Sequence, residues 1–408
     1  MRRHYGVGIL LLASGFAEAA SNGMDRVAMA REQIARSPAQ ADGYTALALA
    51  LVKAARATDR TEYLGQAEQA VRDALRLAPD NFEAQKADVA VRLAECLYSE
   101  ALREAKALNK KVPDDNQLYG YIASAEMALG NYAAAEKATQ WMIDQRPVNG
   151  PGLQRGAELR EVLGYNEPAL DWWSSAMRIT SSSDAEERAW ILVNMSRVDL
   201  HMGKPAEAEK HARQGLELVA NYPWASDALA AALMEEEKPS EAAEVLGARL
   251  EAANDVRAKF QYATALEAAG KKEDAATVWQ EFAAEAKARV SQADNANREL
   301  IAYVAAHDMS ADALKLASEE VERRQDIDTL AAYASALLAA GKYQEARTQM
   351  DRALAPGIRD AKFFYQAGMI AAKANDKASA AKYLKKAIEM NASSPEAGKA
   401  IKLLANLS

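Results

Sequence analysis

Trp190 and Trp224 stand 34 residues apart, and five of the six tryptophans fall between residues 141 and 224. Tryptophan and arginine carry most of the binding energy where one protein grips another. In the stretch from 155 to 261, around the two rings, lie Arg155, Glu158, Asn194, Arg197, Asp227 and Gln261. Alternating charge beside large rings is the chemistry of capture. Residues for bond making are harder to find. His201 and His211 miss the i, i+4 spacing that puts two metal ligands on one helix face, and His4 and His307 stand alone. There is no glycine-rich phosphate loop and no nucleophile elbow. Cys96 is the single cysteine, so it forms no internal disulfide, and no histidine or basic cluster adjoins it in sequence to activate the thiol. Glu235-Glu236-Glu237 and Lys271-Lys272-Glu273-Asp274 read as solvated helix ends. The expectation is a chain with no catalytic residue, no metal ligand and no cofactor.

The elements that position those rings repeat. Ala67, Ala101, Ala135 and Ala169 are each 34 residues apart, and Ala208, Ala242, Ala275, Ala313, Ala346 and Ala380 follow at steps of 39, 34, 33, 38, 33 and 34. A period held over ten units describes an array of stacked units, not a globule around one core. Five residues before the alanine comes a turn residue: Gly130, Gly164, Gly203, Gly270, Gly341 or Asn375. Twelve residues before it comes a small one: Ala123, Ala157, Ser196, Ala230, Ala263, Ala334 or Gly368. Small residues on facing sides let two helix axes approach closely. Each unit therefore reads as helix, tight turn, helix. Composition agrees, since half the residues are apolar, alanine dominates that half, and strand-like runs are absent.

At these residues the chain resembles the tetratricopeptide repeat family, whose unit is a 34-residue helix–turn–helix. The unit from Ile327 to Asp360 carries Tyr333, Ala334, Gly341, Tyr343, Ala346 and Ala353 where that pattern expects them. The unit from Asn116 to Asn149 matches through Tyr119, Ala123, Gly130, Tyr132, Ala135 and Pro147. The resemblance spans roughly residues 41–393. It implies an all-α, right-handed superhelix of about ten units, with first helices lining the concave face. Trp190 and Trp224 each precede an anchor alanine by eighteen residues, so they are expected at equal heights on neighbouring first helices. Buried packing is the commoner fate of such rings; a pair of anchors for a ligand is the functional alternative. Gln154, Glu158, Arg197, Asp227 and Thr264 share that face, with Arg155, Asn194 and Gln261 one step away. Family members that grip a C-terminal carboxylate use lysines and asparagines in three successive units. Asn194 and Arg197 match that only in part, and Lys86 has Ala90 as its row partner, so that clamp is not expected. Trp141, Trp173 and Trp279 are expected in the packing between helices.

Departures mark boundaries. An insertion, Ala57-Thr58-Asp59-Arg60-Thr61-Glu62, separates the helices of the unit around Ala67, and Val89 replaces a small contact residue. The stretch Val290-Ser291-Gln292-Ala293-Asp294-Asn295 suggests a hinge between arrays at 41–288 and 289–393. Residues 20–40 form a leading helix with linker, and 394–408 a capping helix. Residues 1–19 have the layout of a secretory signal peptide: Arg2 and Arg3, an apolar stretch from Val7 to Ala13, then Ala17-Glu18-Ala19 as the cleavage signal. That places the chain in a secreted or periplasmic compartment. With a formal charge of −8 the chain is a poor candidate for nucleic acid or an anionic membrane. The expected function is a non-enzymatic scaffold that binds a protein or peptide in its concave groove, with a role in envelope assembly as a sub-case. The alternative is an α/α enzyme acting on polysaccharide in the same compartment, which needs two carboxylates facing across a cleft.

Overall fold

The computed structural model describes residues 12–253, 255–292, 295–307, 310–392 and 394–407. Arg2, Arg3, His4, the start of the apolar stretch at Val7, and Ala293 and Asp294 of the expected hinge lie outside them. Among the described residues there are 22 helices and no strand. The first is α1 (Leu12–Arg36). Ten pairs follow: α2 (Ala41–Thr58) with α3 (Glu62–Leu77), α4 (Phe82–Ala94) with α5 (Tyr98–Lys111), α6 (Asn116–Ala128) with α7 (Tyr132–Gln145), α8 (Gly150–Val162) with α9 (Asn166–Ile179), and α10 (Ala185–His201) with α11 (Pro205–Leu218). Then come α12 (Pro223–Glu235) with α13 (Pro239–Ala252), α14 (Val256–Ala268) with α15 (Lys272–Ala288), α16 (Asn297–Ala306) with α17 (Ser310–Arg323), α18 (Ile327–Ala339) with α19 (Tyr343–Leu354), and α20 (Ala361–Lys373) with α21 (Lys377–Met390). The last is α22 (Pro395–Ala405). Each helix packs on the next, so the fold is an all-α solenoid.

Local signals set the helix ends. Seven of the ten first helices start on an asparagine or aspartate whose side chain accepts a backbone N–H: Asn81, Asp115, Asn149, Asp184, Asp255, Asp326 and Asp360. Such a cap contributes about 1 kcal/mol. Eight pairs turn on a residue five before the anchor alanine with φ between 59° and 77°: Cys96, Gly130, Gly164, Gly203, Glu237, Gly270, Gly341 and Asn375. Cys96 and Glu237 hold that strained backbone without being glycine, so they break the glycine pattern at the turn while keeping its geometry.

All ten anchor alanines are at most 2% exposed. Their small partners meet them: the Ser196 hydroxyl donates to the Ala208 carbonyl at 2.8 Å. A Cβ on Gly368 would lie 2.6 Å from Leu384, so that glycine is required for the helices to close. Val89, the larger residue at this position, is accommodated fully buried beside Ala101 and Ala105. Trp173 is fully buried, Trp141 stacks on Tyr119 with centroids 3.7 Å apart, and Trp279 packs among Phe260, Phe282 and Tyr303. One apolar cluster runs from Val256 through Phe282, Ala296 and Leu300 to Ala336, across the stretch around residue 290. Val27 and Ala30 of α1 are buried, Val27 in a cluster with Ala48 and Leu51 of α2.

Successive turns of the superhelix also touch, which the 34-residue period does not announce. The Tyr132 hydroxyl accepts the N–H of Ile327, 195 residues away, at 2.9 Å. Beside it the Gln325 N–H donates to the Ala128 carbonyl at 3.2 Å, and one unit later the Arg359 N–H donates to the Leu163 carbonyl at 3.0 Å. Tyr132 and Leu159 share a core with Ile327, Leu330, Ile358 and Phe363. A third contact brings the α2–α3 turn against α10, α12 and α14. The superhelix is wound tightly enough for its turns to seal against each other.

Candidate functional site

The α2–α3 turn sits on the face where the sequence places its binding residues. Trp190 and Trp224 meet edge to face, centroids 5.9 Å apart and planes at 85°. Neither ring is free. The Trp224 indole N–H donates to the Arg56 carbonyl at 2.7 Å, the Arg56 guanidinium lies 5.6 Å over Trp190, and Arg257 lies 5.6 Å over Trp224. Both tryptophans are half-buried against their own chain.

Charges complete this contact. Arg56 donates to both oxygens of Glu186, at 3.1 and 2.6 Å, and to Glu187 at 2.7 Å. Burial alone would lower the basicity of Arg56, but Glu186 and Glu187 outweigh it and hold the guanidinium charged. Burial likewise raises Glu187, and Arg56 with Gln154 outweighs it, keeping its carboxyl below the usual range. The Tyr222 hydroxyl donates to Glu186 at 2.8 Å. Asp59, whose φ of 53° turns the chain at the end of α2, accepts from Arg249 and from Arg257 at 3.1 Å. Arg249 also donates to Asp227 at 2.9 Å.

Three carboxylates, Asp59, Asp227 and Asp255, thus surround two guanidiniums. One negative charge is in excess. Burial, with Asp59 and Asp255 adding to it against the pull of Arg249, pushes Asp227 up to about 6. A raised carboxyl in a cleft often marks catalysis. Here arginine holds Asp59 and Asp227, so they do not form the open pair that glycoside hydrolysis needs.

The remaining predicted residues split. Asn194 is 1% exposed; its amide donates to the Trp190 carbonyl at 2.7 Å and its oxygen accepts from Arg197 at 2.8 Å, so it supports α10 from within. Arg155 pairs with Glu158 one turn along α8. Arg197 pairs with the buried Glu161, yet its side chain is 47% exposed. Burial opposes its charge, but Glu161, Glu158 and Asp328 of α18 favour it more, so its basicity is raised. Asp328 comes from the next turn of the superhelix, near the seam that α18 forms with α6 and α7. Gln261 is exposed on α14. The structure therefore joins Trp190, Trp224 and Asp227 into a sealed contact, and leaves Arg197 and Gln261 open. Among the described residues no group of three His, Cys, Asp or Glu side chains is placed to hold a metal ion.

Sequence reasoning missed Arg56, Asp59, Glu186, Glu187, Tyr222, Arg249 and Arg257. The insertion after Arg56 was the available signal, since an added loop between paired helices must go somewhere.

No protein-family model and no curated protein sequence matches the chain. Solved structures do. The APC/C hetero-tetramer Cut9–Hcn1 aligns over 90% of this chain at 13% identity with a TM-score of 0.48; this chain spans 63% of that one. TTC0263, a thermophilic TPR protein of Thermus thermophilus, aligns over 45% of this chain and 98% of its own at 22% identity and a TM-score of 0.42. PilW, a type IV pilus biogenesis factor, aligns over 50% of this chain and 93% of its own at 13% identity and a TM-score of 0.44. At such identities a likeness speaks to architecture alone, and here the repeat itself decides it. With ten helix–turn–helix pairs, buried anchor alanines and left-handed turn residues at one period, the chain has the architecture of a tetratricopeptide-type all-α solenoid.

Proposed function

We propose that the chain is a non-enzymatic scaffold that takes an extended segment of a protein partner against the inner wall of its superhelix. The observation that carries this is the α2–α3 turn itself. It is a segment ending in an irregular turn, held across the seam at the starts of α10, α12 and α14 by ring contacts, a carbonyl and paired charges, which is how a peptide would be held. The open residues beside it, Arg197 and Gln261 with the Arg155–Glu158 pair, form the binding face; Trp190 and Trp224 support it from the sealed side. The compartment is extracytoplasmic and the role lies in envelope assembly, a reading supported by the signal-like residues before Ala20.

A photo-crosslinking side chain at Gln261 tests the face. Adducts with a defined extracytoplasmic protein are expected there and not at Lys342, in an outer turn. Equal labelling at both positions overturns it. Sequencing the mature N-terminus tests the compartment: a start at Ala20 supports it, and a retained Met1 removes it.

A further inference from the structure

A cleft of about 440 Å³ opens beside the seam, between the α8–α9 turn and the helices α19 to α21. Its lining includes Tyr165, Ile358, Arg359, Phe364, Tyr383 and Lys386. Phe364 and Tyr383 lie with ring planes 25° apart and centroids 6.5 Å apart. Tyr165, across the cleft, is 43% exposed. Arg359 stands 5.5 Å over Tyr165, and Lys386 stands 5.0 Å over Phe364. Most arginines of this molecule lie against a carboxylate, as Arg347 does with Asp376 at 2.8 Å. Among the described residues Arg359 and Lys386 have no such partner; their contacts are the rings.

The charge around the cleft is opposite to that of the whole. The chain carries −8, yet residues 377–402 hold six lysines and two glutamates. Lys382, Lys385 and Lys386 are exposed on α21. Asp351 lies at the other edge, accepting the Tyr383 hydroxyl at 3.3 Å. An anion is therefore favoured at the Arg359–Lys386 side and disfavoured at the Asp351 side.

We propose that this cleft is a second binding site, for a peptide segment that places a carboxylate beside an aromatic or bulky apolar side chain. The ring enters between Tyr165 and the Phe364–Tyr383 pair. The carboxylate meets Arg359 and Lys386, whose charges no protein carboxylate has taken. A carboxylate-bearing ring fits this better than a polyphosphate chain, because three rings line the cleft and its two cations stand on one side, with Asp351, itself paired with Arg347 at 3.9 Å, on the other. This site is independent of the inner face, and its test is separate.

The probe is a fluorescein-labelled synthetic peptide, Gly-Ser-Asp-Glu-Phe-Leu-Asp, with a free terminal carboxyl, titrated with the full chain by anisotropy. Comparators are the amidated Asn/Gln version of the peptide and a thymidine decamer. The expected result is saturable binding that weakens with added salt. The double variant Arg359→Gln/Lys386→Gln should bind about tenfold more weakly, a change of ~1.4 kcal/mol. Arg359 supports the seam through its backbone, so its side chain can change while the helical circular dichroism stays. Tyr165→Ser, at an exposed ring, should weaken the probe by a similar factor, and it stands in if the double variant unfolds. Lys271→Ala, in an exposed turn outside both sites, should change nothing. Equal binding by wild type and variants, no binding up to about 1 mM, or tighter binding of the thymidine decamer than of the peptide would each overturn the proposal.

Discussion

Gly130 and Gly341 occupy the same position in their repeats, with φ of 77° and 73°. Their surroundings are unlike. A Cβ on Gly130 would lie 2.3 Å from the Gln325 carbonyl oxygen, whereas at Gly341 nothing comes within 4 Å. Gly164 resembles Gly130, with the Arg359 carbonyl 2.4 Å from its Cβ position, and Gly270 resembles Gly341. Gly130 and Gly164 therefore do two things: they turn the chain, and they admit the next superhelical turn. Gly270 and Gly341 only turn it. The α2–α3 turn reaches the same seam by other means. There, ion pairs and an indole hydrogen bond replace close backbone approach.

The difference can be broken most sharply at the glycines. Gly130→Ala should cost about 3–4 kcal/mol, from the left-handed backbone together with the clash against Gln325. Gly341→Ala, with the first cost only, should lose ~1 kcal/mol. Equal shifts in the urea midpoint would show that the backbone seam does not form. Next, Arg56→Ala leaves the buried Glu186 without its cation. Breaking a buried pair costs about 3–5 kcal/mol, and about 3 is expected because the Arg56 side chain is 31% exposed. A loss below ~1 kcal/mol would reduce this contact to an ordinary surface pair.

Acid should sharpen the contrast. Asp227 sits at about 6 in the fold against an ordinary 3.8. The folded state then holds its proton more tightly, so this group adds stability below pH ~4 that is lost as pH rises through ~6. Relative to Asp227→Asn, wild type should gain ~2 kcal/mol between pH 7 and 4. Thermal melts of both proteins across that range would show it, and a constant difference would place Asp227 in water. The smallest effect belongs to Tyr132→Phe, which removes the acceptor for Ile327 and should cost about 1 kcal/mol. The matching change at Tyr343, an exposed ring in the same position relative to its alanine, should cost nothing measurable in the same melts.

The repeat was legible because its cause is local. Ala346 must be small to let α18 and α19 touch, and Gly341 must bend the chain, so both needs recur in every unit and print a period. The placement of Trp190 and Trp224 on neighbouring helices follows from the same period. What covers them does not. Arg56 lies 168 residues from Trp224, and no spacing of 34 predicts the pitch that brings them together. The sequence also makes Gly130 and Gly341 look identical, since the Gln325 carbonyl that separates them belongs to another turn of the superhelix. Arg249 sat unnoticed for a related reason: its partners Asp59 and Asp227 come from two different turns.

The 195-residue offset bears on how the array comes apart. An open solenoid is a row of neighbours; its end units fray one at a time, and folding can spread from any point. Here Tyr132 is bonded to Ile327 and Leu163 to Arg359, so early units are also neighbours of late ones. Loss of the helices after residue 320 would expose the flanks of α6 and α8 as well as the ends of the break. The row behaves as a rolled sheet, in which units far apart along the chain melt together. Contacts of such long sequence separation also slow folding, because even the Arg56–Glu186 contact must close a span of 130 residues and the Tyr132–Ile327 contact one of 195.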